Sequence, residues 1–261
     1  MSVGISSACF YPTLTEDAVD FLCKNGVAKA EIFFNSACET KGEIFNDICR
    51  KIHDNGVNVV SVHPFSSSFE PFMLFSDYER RFQDGLDFYK GLFEVCNKLG
   101  SEIFVLHGDR EDRTYCDDRY LDRYHRLFLA AKEMGVILAQ ENVAYCRSKD
   151  ISFLKKMKKE LCDDVAFVLD LKQSRRAGVD YKEYAAVMGE KLIHLHANDF
   201  DATHDCLLPG KGITDFCEVY NELSKHSFSG DSIIEVYRSN FKDFEELVES
   251  MHYLQCIENK K

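Results

Sequence analysis

The stretch IHLHANDF, residues 193–200, places two histidines one residue apart at the end of a short apolar run. Metal-capable side chains end five other apolar runs as well. Six consecutive runs therefore finish in an imidazole or a carboxylate, and these residues are His63, His107, Glu141, Asp170, His196 and Glu235. One such residue alone is usually a packing residue, a helix cap or an ion-pair partner. Six in succession predict a shared metal site.

Three of these side chains are carboxylates, namely Glu141, Asp170 and Glu235. If they converge, they repel one another and are costly to desolvate unless protons or a cation compensate them. With one imidazole from His196 they form a set of mainly hard donors, which suits Mn²⁺ or Mg²⁺ and tolerates Co²⁺ or Zn²⁺. We therefore predict that one divalent metal ion is held by these four residues.

Two histidines compete for the place of the nitrogen ligand. His194 and His196 lie on one face of the predicted strand because they are two positions apart. His196 is the better candidate since it is nearer the strand end. Asp199 follows it closely and could orient its ring through the second nitrogen.

These residues require a scaffold that brings successive run ends together. Runs rich in Val, Ile and Phe alternate with amphipathic stretches typical of helices, often separated by a glycine. The eight runs are VGISSA, KAEIFF, VNVVSVH, EIFVLHG, VILAQEN, VAFVLD, LIHLHA and SIIEVY. Eight strands that alternate with helices predict a single-domain (β/α)8 TIM barrel over residues 1–261, with parallel strands and outer helices. The active site of such a barrel lies at the C-terminal strand ends.

An open, doubly wound sheet is the alternative fold. It would show fewer units and a glycine-rich first turn, but no G-x-G-x-x-G follows VGISSA. No low-complexity linker divides the chain, and only four prolines interrupt it. The closed barrel is therefore the better interpretation.

Composition and charge limit the partners. Hydrophobic residues, 45% of the chain, occur in short runs well below the roughly 18 apolar positions of a membrane span. The N-terminus lacks the pattern of a secretion signal, and eleven cysteines without a C-x-x-C pair fit a reducing compartment, so we expect a cytoplasmic protein. A net charge of −12 argues against nucleic acid. We expect a small-molecule partner and no membrane, and a homo-oligomer is possible.

The motifs SVHPF, VLHGD, AQENV, VLDLKQ, HLHANDF, LLPGKGITDF and IIEVY resemble those of the xylose isomerase-like TIM-barrel superfamily. That group includes sugar and inosose isomerases and epimerases together with endonuclease IV. The likeness covers essentially the whole chain, and its most specific parts are the Glu, Asp, His, Glu series and the P-G-x-G loop. By likeness to D-psicose 3-epimerase-like members, it implies a single metal ion at Glu141, Asp170, His196 and Glu235, with the two glutamates as acid and base.

The chemistry of such a site follows from its parts. A divalent ion that binds a substrate carbonyl and the adjacent hydroxyl acidifies the neighbouring C–H and stabilises an enediolate. A carboxylate on each face can remove a proton from one side and return one from the other, which gives epimerisation. Return at the adjacent carbon gives isomerisation. We expect Glu141 and Glu235 to be this pair, with His63 and His107 as substrate-binding or proton-relay residues.

Two departures affect the substrate. The family's D-x-x-H reads DLKQ, so Gln173 stands where an imidazole contacts the substrate, and Ala202 stands where ketose 3-epimerases have arginine. Both changes argue against a free-ketose 3-epimerase more than they argue against the predicted metal site. Arg175, Arg176 or Lys211 could instead hold a phosphate or carboxylate of the substrate. Ordinary surface charge is the alternative for the arginines.

Endonuclease IV-like phosphoester hydrolysis is the rival enzyme class. Its first metal cluster would match His63, His107 and Glu141, which are all present. Its third cluster would need other side chains at the positions of Gln173, His204 and Cys206. A binuclear site that uses the two histidines therefore stays open.

A sugar-binding barrel without turnover is the third possibility. Gln173 favours it, because an imidazole expected at the substrate is missing. The intact pair of Glu141 and Glu235 disfavours it, since binding alone has little need for two opposed carboxylates.

Overall fold

Eight parallel strands close into one barrel in the computed structural model, which describes residues 2–111 and 116–259. Each strand pairs with the next in the chain, and the eighth pairs with the first. The strands are β1 (Val3–Ser6), β2 (Lys29–Phe33), β3 (Asn58–His63), β4 (Ile103–Leu106), β5 (Ile137–Glu141), β6 (Ala166–Asp170), β7 (Leu192–Ala197) and β8 (Asp231–Ile234). The predicted (β/α)8 barrel is confirmed, and the open sheet is excluded.

Helices surround this barrel and cover its outer face. Those in the described ranges are α1 (Thr15–Lys24), α2 (Gly42–Asp54), α3 (Glu70–Met73), α4 (Glu79–Leu99), α5 (Asp117–Glu133), α6 (Ile151–Leu161), α7 (Leu171–Ala177), α8 (Tyr181–Met188), α9 (Phe216–Lys225) and α10 (Glu245–Glu258). In α4, Tyr89, Leu92, Phe93 and Cys96 recur at helical spacing and are all buried. No helix in these ranges is both long enough and apolar enough to cross a membrane.

The inside of the barrel carries a small apolar layer below the polar residues. Val105, Ala139 and Val168 pack together there, separate from the large cluster between the strands and the helices. Side chains alternate along a strand, so the next inward position is two residues further on. In these three strands that position holds His107, Glu141 and Asp170. The apolar layer thus supports the polar residues at the C-terminal end of the barrel.

Two of the predicted strand-end residues lie just beyond their strands. β4 ends at Leu106, and His107 is followed by Gly108, whose φ of +88° turns the chain away from the sheet. β8 ends at Ile234, although the backbone N–H of Glu235 still donates to Ala197 O at 3.2 Å. The backbone of Glu235 therefore remains tied to β7 at the barrel rim.

Candidate active site

The barrel brings together the four residues predicted to hold a metal ion. One donor atom from each of Glu141, Asp170, His196 and Glu235 lies within 4.8 Å of every other. Asp170 and His196 are direct neighbours in the register of β6 and β7. Glu235 is partly exposed, whereas the other three are buried. The four donors are close enough to share one cation.

Hydrogen bonds fix the carboxylate of Asp170 so that one oxygen points into this cluster. Its Oδ1 accepts from the backbone N–H of Lys172 at 2.7 Å, from that of Gln173 at 3.3 Å and from the Asn198 amide at 2.9 Å. Oδ2 is buried and has no hydrogen bond within the described residues. The same holds for Nδ1 of His196. The ammonium of Lys172 lies 3.1 Å from Oδ2, and a bound divalent cation would give both buried atoms a ligand contact.

The cluster is also electrostatically suited to a cation. Burial raises the pKa of the Asp170 carboxyl, and Glu141 and Glu235 add to the rise against the opposing charge of Lys172. Burial alone would lower the pKa of His196, but the surrounding carboxylates outweigh it and hold that pKa well above its usual value. A positive charge among these groups is therefore strongly favoured.

A glutamate outside the predicted set orients His196. Nε2 of His196 lies 3.1 Å from Glu31 Oε2, and Nδ1 lies 3.4 Å from Glu141 Oε1 and 3.6 Å from Glu235 Oε2. Because an ionised Glu31 can only accept, it takes the Nε2 hydrogen and leaves Nδ1 free to face the cluster. The sequence signal for Glu31 was an acidic residue inside the strand KAEIF.

The predicted orienting role of Asp199 is wrong. Its carboxylate accepts backbone N–H groups of the following loop at 2.8–3.0 Å, from Phe200, Gly210, Gly212 and Thr214. A carboxylate with four such donors is fully engaged in holding the PGKG loop. It therefore does not orient the imidazole of His196, whose Nε2 contacts Glu31 instead.

His194 lies one layer deeper than His196, as its spacing predicted. Its Nε2 is 3.2 Å from Ser61 Oγ and 3.5 Å from Glu31 Oε2. Ser6 and Ser61 also donate to Glu31, at 2.9 and 2.7 Å. Burial lowers the pKa of His194, although Glu31 opposes the change. This polar layer holds Glu31 in place beneath the metal-capable cluster.

His63 and His107 form a pair beside Glu141. Their Nε2 atoms lie 2.8 Å apart. The Nε2 atom of His63 is 3.8 Å from Glu141 Oε2, and that of His107 is 3.0 Å from the same oxygen. Burial alone would raise the pKa of Glu141, but His107 and the other imidazoles lower it well below its usual value. The three residues form a second metal-capable group that shares Glu141 with the first. The pair can bind a substrate oxygen, relay a proton or hold an ion.

A cavity of about 380 Å³ opens above these groups. The predicted residues that line it are His63, His107, Glu141, Gln173, Arg176 and Glu235. Aromatic side chains complete its wall, and these are Phe33 at the end of β2 and Tyr11, Tyr145 and Tyr237 in loops. This volume suits a small polar molecule with one apolar face.

Two cationic residues predicted to hold the substrate lie elsewhere. Arg175 donates to Asn198 Oδ1 at 2.5 Å and to Asp205 O at 2.9 Å, and it does not line the cavity. Lys211 is exposed and also outside the lining. Arg176 lines the cavity instead, where it donates to the hydroxyl of Tyr237 at 2.8 Å. α7 turns consecutive residues to different sides, which residue type alone does not indicate.

Sequence reasoning also missed a lysine. Nζ of Lys172 lies 3.1 Å from Asp170 Oδ2 and 3.0 Å from Glu235 Oε2, and its side chain is only 4% exposed. The sequence feature that could have identified it is a lysine in VLDLKQ, two positions after the predicted ligand Asp170.

Comparison with known proteins agrees with the barrel fold. The family model described as xylose isomerase-like TIM barrel matches residues 24–256. A D-tagatose 3-epimerase-like protein superposes with a TM-score of 0.81 at 18% identity, over 99% of this chain and 97% of that one. The IOLI protein, whose crystal structure contains zinc, has a TM-score of 0.75 at 16% identity, over 98% and 96%.

One curated relative is an uncharacterized protein of Mycobacterium tuberculosis, 32% identical over 93 residues, or 33% of either chain. The chain thus spans about a third of the length of the curated relatives it matches. The family model covers far more of the sequence, and the closed barrel agrees with it. The chain therefore belongs to the xylose isomerase-like TIM barrel family.

Proposed function

We propose that this protein is a divalent-metal-dependent isomerase or epimerase of a small carbohydrate, either a sugar, a sugar phosphate or an inosose. The observation that carries the proposal is the convergence of Glu141, Asp170, His196 and Glu235 beside a cavity that two of them line. The two glutamates are the groups among these four that also line the cavity. They are therefore the members placed to touch a substrate.

The four residues would hold the metal ion through the carboxylates and Nδ1 of His196. Such an ion stabilises negative charge that develops on substrate oxygens when a neighbouring C–H is deprotonated. Glu141 would exchange a proton at one face of the reacting carbon and Glu235 at the other. His107 is placed to assist at the Glu141 side, since its Nε2 lies 3.0 Å from Oε2 of that glutamate.

The cavity supports a carbohydrate as the substrate class. Its polar groups include Asn35, Ser67, Ser68 and Gln173, which can donate to and accept from hydroxyl groups. The exposed ring of Tyr237 and the half-buried ring of Phe33 offer apolar surface for the C–H face of a sugar. Polar groups for the hydroxyls and aromatic surface for the C–H face together suit a polyol-like substrate.

The test is metal stoichiometry followed by isotope exchange. The protein is purified without chelators, equilibrated with Mn²⁺, Co²⁺ or Zn²⁺, and analysed for metal beside His196→Ala. We expect about one ion per chain, lost in the variant. Ketoses and inososes are then screened for deuterium uptake from D₂O. Absence of any bound ion would overturn the proposal.

Phosphoester hydrolysis is retained as the second candidate because of the group formed by His63, His107 and Glu141. It predicts two or three ions per chain and cleavage of a phosphodiester substrate to a phosphomonoester and an alcohol. A single ion without such hydrolysis would exclude it. Metal binding without either activity would instead support a sugar-binding barrel.

A further inference from the structure

Lys172 places a positive charge inside the candidate metal centre. Its Nζ lies 3.1 Å from Asp170 Oδ2 and 3.0 Å from Glu235 Oε2, which are donors of two of the four candidate ligands. The ring of Tyr237 lies 5.0 Å from the same ammonium. A lysine that is 4% exposed and bridges two carboxylates is part of the centre and not a surface charge.

The local backbone holds this lysine in place. Lys172 is the second residue of α7, and its N–H donates to Asp170 Oδ1 in the cap of that helix. The same aspartate thus binds the backbone of Lys172 through one oxygen and faces its ammonium with the other. The side chain of Lys172 is therefore held between the carboxylates of Asp170 and Glu235.

The charges of the centre explain what the lysine does. Glu141, Asp170 and Glu235 together carry three negative charges when ionised, and a divalent ion would neutralise two of them. The ammonium of Lys172 neutralises the third. Without the lysine, these four ligands with a divalent ion would keep one negative charge, in addition to that of the ionised Glu31 behind His196.

We propose that Lys172 is a built-in counter-charge of the candidate metal centre, which holds Asp170 and Glu235 together when no ion is bound and weakens divalent ion binding by repulsion. The proposal rests on the metal centre of the proposed function. It assigns Lys172 a positioning role toward the ion. Two like charges a few ångströms apart in a largely buried site repel strongly, so the effect should be large enough to measure.

The test compares Mn²⁺ affinity in wild type and Lys172→Met by calorimetric titration after removal of metal with a chelator. We expect Lys172→Met to bind Mn²⁺ at least about tenfold more tightly, because repulsion is removed while the four donors remain. The metal-free variant should melt at a lower temperature than wild type, and Mn²⁺ should raise its Tm by more. Lys172→Gln keeps a hydrogen-bond donor between the carboxylates and serves if Lys172→Met does not fold.

Lys182→Met is the matched control. Lys182 pairs with Glu218 on the outer helices, so its loss changes net charge equally without reaching the centre. Mn²⁺ affinity should be that of wild type. If Lys172→Met and Lys172→Gln bind Mn²⁺ as wild type does, or more weakly, the counter-charge proposal is wrong while the metal centre stands. If wild type itself binds no divalent ion, the metal centre and the proposed function are overturned together.

Discussion

Glu31 Oε2 lies 3.1 Å from Nε2 of His196, although 165 residues separate the two in the chain. Three other contacts stabilise this glutamate, since Ser6 and Ser61 donate to it and His194 lies 3.5 Å away. Burial alone would raise the pKa of Glu31, but His196 and His194 outweigh it and hold the pKa well below its usual value. An ionised Glu31 therefore sets which nitrogen His196 turns toward the candidate ligands.

We expect Glu31→Gln to weaken Mn²⁺ binding by about 10- to 100-fold, since a carboxylate that orients a metal-binding histidine usually contributes that much. Calorimetric titration of the metal-free protein measures the effect. Glu39→Gln is the control, because Glu39, which follows β2, is also buried but accepts from Thr15 and Asn35, away from the centre. Equal affinity in both variants would show that Glu31 does not position the ligand.

Glu141→Gln and Glu235→Gln should each reduce substrate interconversion by at least about 100-fold, as expected for loss of a general acid or base. The measurement uses saturating Mn²⁺ and a substrate found in the exchange screen, with metal content checked in each variant. For an epimerase, each variant should still exchange deuterium with the one epimer whose proton faces the remaining glutamate. Interconversion at the wild-type rate in either variant would contradict the two-glutamate mechanism.

Glu70 couples stability to pH. This buried glutamate of α3 accepts from the N–H of Gly108 at 2.5 Å and from the hydroxyl of Tyr89 at 3.1 Å. Burial raises its pKa to about 8, although these donors oppose the rise. Since the folded pKa exceeds the unfolded value of 4.5, the folded protein keeps a proton that the unfolded chain has lost. The stability contributed by Glu70 is complete below pH 4.5 and is lost as pH rises toward 8.

Glu70→Gln should therefore gain stability relative to wild type by up to about 1.4 kcal/mol per pH unit between pH 4.5 and 8. Urea unfolding of the metal-free proteins at intervals across this range measures the difference. Glu79→Gln is the control, because ion pairs and hydrogen bonds to arginines lower the pKa of Glu79 to about 2, outside the range. A constant difference between Glu70→Gln and wild type at all pH values would refute the assignment.

Gly108→Ala should lower the free energy of unfolding by about 2–4 kcal/mol. Gly108 has φ of +88°, and an added Cβ would collide with the hydroxyl of Tyr120 and lie 3.2 Å from Gln140 Oε1. Gly26→Ala is the control, since Gly26 has a similar φ of +67° with nothing within 4 Å of the added atom, and should cost about 1 kcal/mol. Urea unfolding measures both, and equal losses would show that packing at Gly108 is unimportant.

The sequence by itself determined the barrel and the candidate ligands. Strands and helices alternate with distinct periods, and parallel strands direct all their C-terminal ends to one side. A polar residue that ends such a run two positions after an inward-facing apolar residue, as Glu141 follows Ala139, also faces inward. Residues of this kind must then meet at the barrel mouth. This inference needs only local periodicity, which the chain displays directly.

Only the tertiary structure decided which groups surround those ligands. Closing the ring brings β2 within reach of β7, so Glu31 orients His196 although Asp199 is nearer in sequence. Likewise, Arg175 turns to a loop while Arg176 and Lys172 reach the cavity, because helical geometry and nearby acceptors direct each side chain. Periodicity indicates which residues share one face of a strand or helix. The contacts of a side chain across the closed barrel depend on distances that only the folded chain defines.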